Sequence, residues 1–294
     1  MLSNEMKKFS YKYWLMGFLI ISVFLNILQL NVTTGYTIEN WRSGALAEKE
    51  LAYEMLEQDL EEEVTDAWIS IIEEIDYCLN NDIPYNVMNM VSYATSMSGM
   101  DTFLYLVLII ATSMIIYVED KSNTWKNLIT TPKVKKQLLA TKMGIAFISI
   151  LSMILVFALV SLLFGFVKYG CPTNSSEFIY INGVGASKNI YMLFSLTLVT
   201  IVLKASVWCG LLFAILALKQ NSDVTGITVT ILLIMCCEMV ADIVPKPLSN
   251  ILPFSYLAKA TSVAIETMMP MVIVLSCYSI ILWGIYLMKF KRQL

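Results

Sequence analysis

The sequence predicts an all-α integral membrane protein that has six transmembrane helices and an extracellular helical insertion between helices 1 and 2. Of its 294 residues, 57% are hydrophobic and only 15% are charged, whereas about a quarter of the residues in soluble domains are charged. Several apolar runs reach the roughly 20 residues that a helix needs to cross a hydrocarbon core about 30 Å thick. The charged residues cluster between these runs, as expected for a multi-pass protein.

Six apolar runs are predicted to span the membrane. The first follows lysines, as a signal peptide would, but no small-residue cleavage site comes after it, so we interpret it as a retained anchor. The predicted spans are Trp14–Leu30, Thr102–Val118, Met143–Val167, Ile190–Leu218, Val224–Val244 and Thr267–Met288.

The distribution of lysine and arginine predicts the orientation. Basic residues precede span one, fill the connection between spans two and three, and end the chain. Residues 33–100 instead carry 14 acidic side chains against two basic ones, Arg42 and Lys49. Because cytoplasmic segments are enriched in lysine and arginine, both termini are predicted to be cytoplasmic.

Residues 35–98 form the predicted extracellular insertion. Apolar residues recur there at three- and four-residue spacing, which predicts one amphipathic helix that ends at Asp82-Ile83-Pro84. Two interpretations of its acidic side remain open, a solvated face or a cap that meets a cationic substrate or partner. The apolar stripe is Leu56, Leu60, Val64, Trp68, Ile71, Ile72, Ile75 and Leu79.

Two further outer segments are predicted. Residues 168–189 contain Gly170, Pro172 and Gly183, which favour turns. Residues 246–266 are apolar but interrupted by proline, which predicts a pair of short interfacial or re-entrant helices.

The composition excludes several activities. The chain contains no histidine, which removes histidine-based catalysis and histidine-ligated metal sites. It also lacks the G-x-x-x-x-G-K-[ST] phosphate loop. We therefore expect no catalytic residue, no metal and no nucleic-acid partner. Cys78 and Cys171 both fall in outer segments, so a disulfide between them is left open.

Three ionisable residues lie within predicted spans, where such groups are costly and often functional. Lys204 is near the middle of span four, and Glu238 lies at a matching height in span five. We predict that these two form an ion pair, which either fixes helix register or lines a translocation path. Asp242 is predicted to lie near the outer interface.

The connection between spans two and three, residues 119–142, is the most specific polar segment. It starts with Glu119 and Asp120, contains good helix N-cap residues, and places Trp125 and Leu128 at helical spacing. Such a segment predicts a helix on the cytoplasmic membrane surface. Its apolar residues would enter a groove in a partner, or its lysines would bind anionic lipid.

This segment resembles the glutamate-led loop that follows the second helix in permease subunits of ABC-2-type transporters. That loop has the approximate form E-x-x-x-G/N-T-W/x-x-x-L, followed by a proline and a basic stretch. Position 123 is asparagine where many members have glycine. The Asn-Thr-Trp-Lys form looks most like permeases of lantibiotic and bacteriocin immunity or export. The matching residues are Glu119, Asn123, Thr124, Trp125, Leu128, Pro132 and Lys142.

The resemblance implies a mechanism and partners. A separate ABC ATPase subunit would bind ATP and dock on the loop, which would act as a coupling helix. The whole chain, 1–294, would be a single ABC-2-type transmembrane domain that pairs with a second permease, either a copy of itself or a sister chain. The path would open between spans two and five of the two permeases, in the plasma membrane of a bacterium.

Two functions are therefore expected from the sequence. The first is an exporter permease for a peptide or another amphipathic substrate. The alternative is a non-transporting sensor or scaffold, in which the extracellular helix binds a ligand and the cytoplasmic loop binds a partner.

Overall fold

The computed structural model of the chain consists mainly of α-helices. It describes residues 11–33, 35–58, 62–97, 101–121, 132–172, 176–181, 184–218, 223–237, 252–258 and 265–292. The elements, in chain order, are α1 Tyr11–Val32, α2 Trp41–Leu56, α3 Glu62–Asn80, α4 Met90–Ser96, α5 Asp101–Lys121, α6 Pro132–Tyr169, β1 Ser176–Ile181, β2 Val184–Asn189, α7 Ile190–Leu218, α8 Asp223–Met235, α9 Pro253–Ala258 and α10 Ile265–Arg292.

Four of these helices are long and apolar enough to cross a membrane, so the chain is a multi-pass membrane protein. They contain predicted spans one, three, four and six. Predicted spans two and five coincide with shorter apolar helical stretches, Thr102–Ser113 and Gly226–Met235. The number six therefore stays a prediction. The four candidate spans are Lys12–Asn31, Thr141–Tyr169, Ile190–Ile215 and Pro270–Met288.

The chain divides into two units. Unit one comprises the described parts of 1–26, 97–160 and 195–294, and unit two those of 27–96 and 161–194. Unit one thus contains most of the apolar helices, and unit two contains the predicted insertion.

Helix α7 is the most deeply buried of the four candidate spans. Within the protein, 67% of its span is buried, against 22% for the spans in α1 and α10. Its residues 204–210 are all buried, whereas Tyr191, Met192 and Val199 in its first half are about half exposed. The segment 204–210 therefore lies in the interior of unit one.

Helix α10 packs against α7 through a close polar contact. The hydroxyl oxygens of Ser206 and Ser279 are 2.6 Å apart, and the indole N–H of Trp283 donates to the carbonyl oxygen of Ser206 at 3.2 Å. Gly210 allows this approach, because a Cβ there would lie 3.1 Å from Nε1 of Trp283. The ring of Phe147 on α6, 4.8 Å from Trp283, extends the contact to a third helix.

A proline interrupts α10 near its start. Pro270 lies inside the helix, where it cannot donate a backbone hydrogen bond. The short helix α9 precedes it within residues 246–266, where we predicted a pair of short helices.

Unit two is built on a pair of helices, α2 and α3, where we predicted one. Leu56 ends α2 and Val64 lies in α3, so the apolar stripe belongs to two elements rather than one. A cluster of buried side chains joins them: Trp41, Ala45, Ile75, Cys78 and Tyr85. Ion pairs Arg42–Asp82 and Lys49–Asp76 connect the same region at its surface.

The end predicted for the insertion helix at Asp82-Ile83-Pro84 is confirmed. Asp82 has φ 54°, and the amide of Ile83 donates to the carbonyl of Cys78 at 2.8 Å. This is a Schellman cap, in which a left-handed residue directs the chain back over the last turn.

Residues 176–181 and 184–189 form two strands, which the prediction of turns over 168–189 did not include. β1 and β2 pair antiparallel, with Ser176 opposite Asn189 and Ile181 opposite Val184. Asn182 and Gly183 join the two strands in sequence, and Asn-Gly is the strongest short signal for a hairpin. We missed this signal because the glycines were interpreted only as loop residues.

Candidate functional site

The described ends of the segment 119–142 are continuations of its neighbouring helices. Glu119 and Asp120 lie in the last turn of α5, and Pro132 is the first residue of α6. Asn123, Thr124, Trp125 and Leu128 lie outside the described residues. Both acidic residues thus lie in α5, and the helix predicted to follow them falls outside the described residues.

Helix α6 is much longer than a membrane crossing requires. Its 38 residues correspond to about 57 Å at 1.5 Å per residue, against a hydrocarbon core of about 30 Å. Its first part, residues 132–140, accounts for about 14 Å of this length. That stretch carries Lys133, Lys135 and Lys136. Cations at a helix N-terminus are unfavourable, which favours an anionic partner at this end.

Lys142 does not belong to the exposed part of the segment. Its side chain is only 1% exposed, although it is among the residues that carry the family resemblance. A partner that binds the segment from outside must therefore contact other residues.

Lys204 lies on the central helix α7 and is fully buried. Thr200 and Trp208, one turn before and one turn after it, are also buried, so this ridge of the helix faces protein rather than lipid. Glu238 and Asp242 are not among the residues that the structure describes, and the Lys204–Glu238 pair stays a prediction.

Sequence reasoning missed a second polar group on this ridge. The indole N–H of Trp208 is buried and has no hydrogen-bond partner among the residues that the structure describes, a costly arrangement for a donor in an apolar interior. Lys204 and Trp208 are four residues apart, so both side chains project from the same side of α7. The signal available in the sequence was this i, i+4 spacing of two donors within an apolar run.

The interior of unit two contains a carboxylate that accepts hydrogen bonds from two tyrosine hydroxyls. Glu48 accepts hydrogen bonds from the hydroxyls of Tyr36 at 3.0 Å and Tyr85 at 3.2 Å. Burial, together with the hydrogen bond and the charge of Glu48, raises the pKa of Tyr36 to about 12. Burial and the charge of Glu48 also raise the pKa of Glu74 above its ordinary value. These two carboxyls therefore share one partly dehydrated region.

The cysteines of the outer segments are both free. Cys78 is buried and Cys171 is exposed, so the disulfide left open by the sequence is not formed. Burial raises the pKa of the Cys78 thiol to about 11, which keeps it protonated and unreactive at neutral pH. No cluster of three or more potential metal ligands occurs among the residues described.

Residues 69–237 match the family model described as ABC-2 family transporter protein. The match starts within α3, crosses the connection between α5 and α6, and ends just after α8. No curated protein and no solved structure matches the chain. Because the family match covers more than half of the sequence, the chain belongs to the ABC-2 transporter family.

Proposed function

We propose that the chain is the permease subunit of an ATP-driven ABC exporter whose ATP hydrolysis takes place on a separate subunit. Proteins of the ABC-2 family are membrane transport components that normally work with an ABC ATPase. The observation that carries the proposal is the family match across the connection between α5 and α6, in a chain with four helices able to span a membrane.

In this proposal the chain crosses the plasma membrane of a bacterium six times. Its termini and the connection 119–142 are cytoplasmic, and residues 35–98 form the extracellular insertion. The charge asymmetry supports this orientation, since residues 33–100 are strongly acidic and the connection is basic.

The ATPase docks on residues 119–132, and Glu119, Asp120, Asn123, Thr124, Trp125, Leu128 and Pro132 make or position the contact. The support is the continuation of α5 and α6 up to the two edges of this segment. Two helices that carry the segment would transmit a displacement by the ATPase directly into the transmembrane helices.

The exporter contains a second permease, identical or homologous, and moves a peptide or another amphipathic substrate, as in bacteriocin immunity or export. Within each permease, the carboxylate of Glu238 pairs with Lys204 and also accepts the free indole N–H of Trp208. The support is the common ridge of Lys204 and Trp208 on the buried helix α7. One carboxylate would then contact both Lys204 and Trp208.

The coupling assignment is tested with purified protein and with cells. Affinity-tagged chain is expressed in its own host cells, and the proteins that copurify with it from detergent are identified by mass spectrometry. We expect Glu119→Ala and Trp125→Ala to reduce ATPase recovery or to separate ATP hydrolysis from transport. Glu39→Ala, an exposed acidic residue of unit two, serves as the matched control.

Unchanged transport in both coupling variants would refute the assignment. Recovery of an ATPase-free chain with a bound extracellular ligand would instead favour the sensor or scaffold. The orientation is tested separately by placing a cysteine at Asn127 and labelling intact cells with an impermeant maleimide, after the exposed Cys171, Cys236 and Cys277 have been replaced by serine. Labelling at position 127 in intact cells would exclude a cytoplasmic connection.

A further inference from the structure

Helix α2 presents an exposed stripe of alternating apolar and acidic side chains. Leu46 and Tyr53 are each 51% exposed, and Glu50 and Glu57 are exposed as well. Glu57 directly follows the helix and keeps helical backbone angles, with φ −74° and ψ −12°. The opposite side of α2 carries Trp41 and faces the buried cluster of unit two. Within the stripe, the ring of Tyr53 contacts Lys49, whose Nζ lies 5.7 Å from the ring centroid, and both Leu46 and Tyr53 remain half-exposed.

The spacing of the stripe is that of a surface on which a second helix packs. Steps of four, three and four residues separate Leu46, Glu50, Tyr53 and Glu57, which is the 3.5-residue period of a helix–helix seam. The half-exposed side chains of Leu46 and Tyr53 provide the apolar contacts of such a seam. The carboxylates of Glu50 and Glu57 lie on the same side of the helix.

Neither Glu50 nor Glu57 is part of an ion pair in the described residues of unit two. Its two cations in residues 33–100, Arg42 and Lys49, are already paired with Asp82 and Asp76. Exposed Glu54 lies four residues after Glu50, where like charges destabilise a helix. The last turn of α2 contains no basic residue, and carboxylates there oppose the helix dipole.

Charge complementarity identifies the occupant. A second copy of the stripe would place carboxylates against carboxylates, and an anionic lipid surface would be repelled in the same way. A small polycation would satisfy Glu50 and Glu57 but would leave Leu46 and Tyr53 in water. A basic amphipathic helix satisfies both, because its lysines or arginines meet the glutamates while its apolar residues cover the leucine and the tyrosine.

We propose that the stripe Leu46–Glu50–Tyr53–Glu57 is a docking surface for a basic amphipathic helix of another polypeptide. This inference goes beyond the proposed export function and does not depend on it, since the surface lies on α2 and needs neither an ATPase nor a second permease.

The test is binding of a synthetic helical peptide of leucine and lysine, about 18 residues or five turns long, to the full chain in nanodiscs of phosphatidylcholine. This lipid is zwitterionic, so it does not attract the peptide by charge. We expect fluorescence anisotropy of the labelled peptide to show binding that weakens as salt is raised. A peptide with glutamate in place of lysine is expected not to bind.

Two variants with the same change in net charge distinguish the stripe from the general acidity of unit two. E50Q/E57Q is expected to weaken peptide binding roughly fivefold, whereas E39Q/E73Q, which removes exposed carboxylates elsewhere, should change it less than about twofold. L46S/Y53S should weaken binding as well, in contrast to V64S/I69S, which alters exposed apolar residues of α3.

The proposal is overturned if wild-type protein does not bind the lysine peptide, or if each stripe variant and its control weaken binding equally. Because all of the substituted side chains are exposed, circular dichroism should show unchanged helix content in the variants. A protein that copurifies with its ATPase but fails to bind the peptide would refute the docking surface alone.

Discussion

Polar groups are stabilised in different ways in the interiors of the two units. At the α7–α10 contact of unit one they are hydroxyls and an indole that bond at close range, and Lys142 and Lys204 are buried elsewhere in the same unit. In unit two they are carboxyls and phenols, with Glu48 as the shared acceptor. We therefore expect the α7–α10 contact to respond mainly to changes in shape, and unit two to changes in charge and pH.

The largest effect is expected from filling the contact between α7 and α10. Gly210→Leu would force a side chain against Trp283, because even a Cβ at position 210 would lie only 3.1 Å from Nε1 of Trp283. Overpacking of this kind costs about 1–3 kcal/mol or more. The check is thermal unfolding in detergent, followed by size-exclusion chromatography. Gly284→Leu on α10 is the matched control, because a Cβ there meets nothing within 4 Å; equal losses in both variants would contradict the close contact.

Removal of the hydroxyl pair should have a smaller effect. Ser206→Ala and Ser279→Ala each remove one side of the 2.6 Å contact, and hydrogen bonds between membrane helices contribute about 0.6 kcal/mol on average. A double-mutant cycle on the unfolding free energy measures the coupling directly. Strictly additive effects of the two substitutions would show that the hydroxyls do not interact.

A pH effect is expected in unit two and not at the α7–α10 contact. The pKa of Glu74 is raised above 4.5, first by burial and then by the charge of Glu48. Between the ordinary pKa of Glu74 and its raised pKa in the folded protein, the folded unit binds more protons than the unfolded unit. Its free energy of unfolding therefore decreases as the pH rises through this window. Hydrogen exchange of α2 and α3 should accelerate accordingly, and less so in Glu74→Gln. Equal pH dependence in Glu74→Gln would assign the effect to another group.

The smallest effect is expected at the surface of unit two. Arg42 and Asp82 form an ion pair, but their side chains are 62% and 73% exposed, and exposed pairs contribute at most about 1 kcal/mol. Arg42→Ala should therefore change hydrogen exchange of α2 only slightly. Asp82→Gly removes the same pair while easing the left-handed φ of 54°, so a strong destabilisation by both substitutions would show that the pair matters more than its exposure suggests.

The apolar helices could be predicted from the sequence because hydropathy is a property of long segments. Each predicted span overlaps an apolar helix or helical stretch of the described residues, and the end of span five lies outside them. The family was also accessible, through Glu119 and the residues that follow it, and the family match confirms it at the level of ABC-2 transporters.

Other features depend on contacts that periodicity does not contain. The apolar spacing from Leu56 to Val64 continues through the point where α2 and α3 separate, so it could not reveal two helices. Burial of Lys142 and the free indole N–H of Trp208 depend on neighbouring helices. The hairpin could have been predicted from the sequence, because Asn182-Gly183 lies between its two strands.

Pro270 has a mechanical consequence for α10. Because proline supplies no amide hydrogen, the turn around it lacks one of the bonds that resist bending, and the ring crowds the preceding carbonyl. Helix α10 therefore bends most easily around Pro270, near its start, whereas the part that carries Ser279 and Trp283 is hydrogen-bonded to α7. The segment before the proline can thus tilt while the part bonded to α7 stays in place.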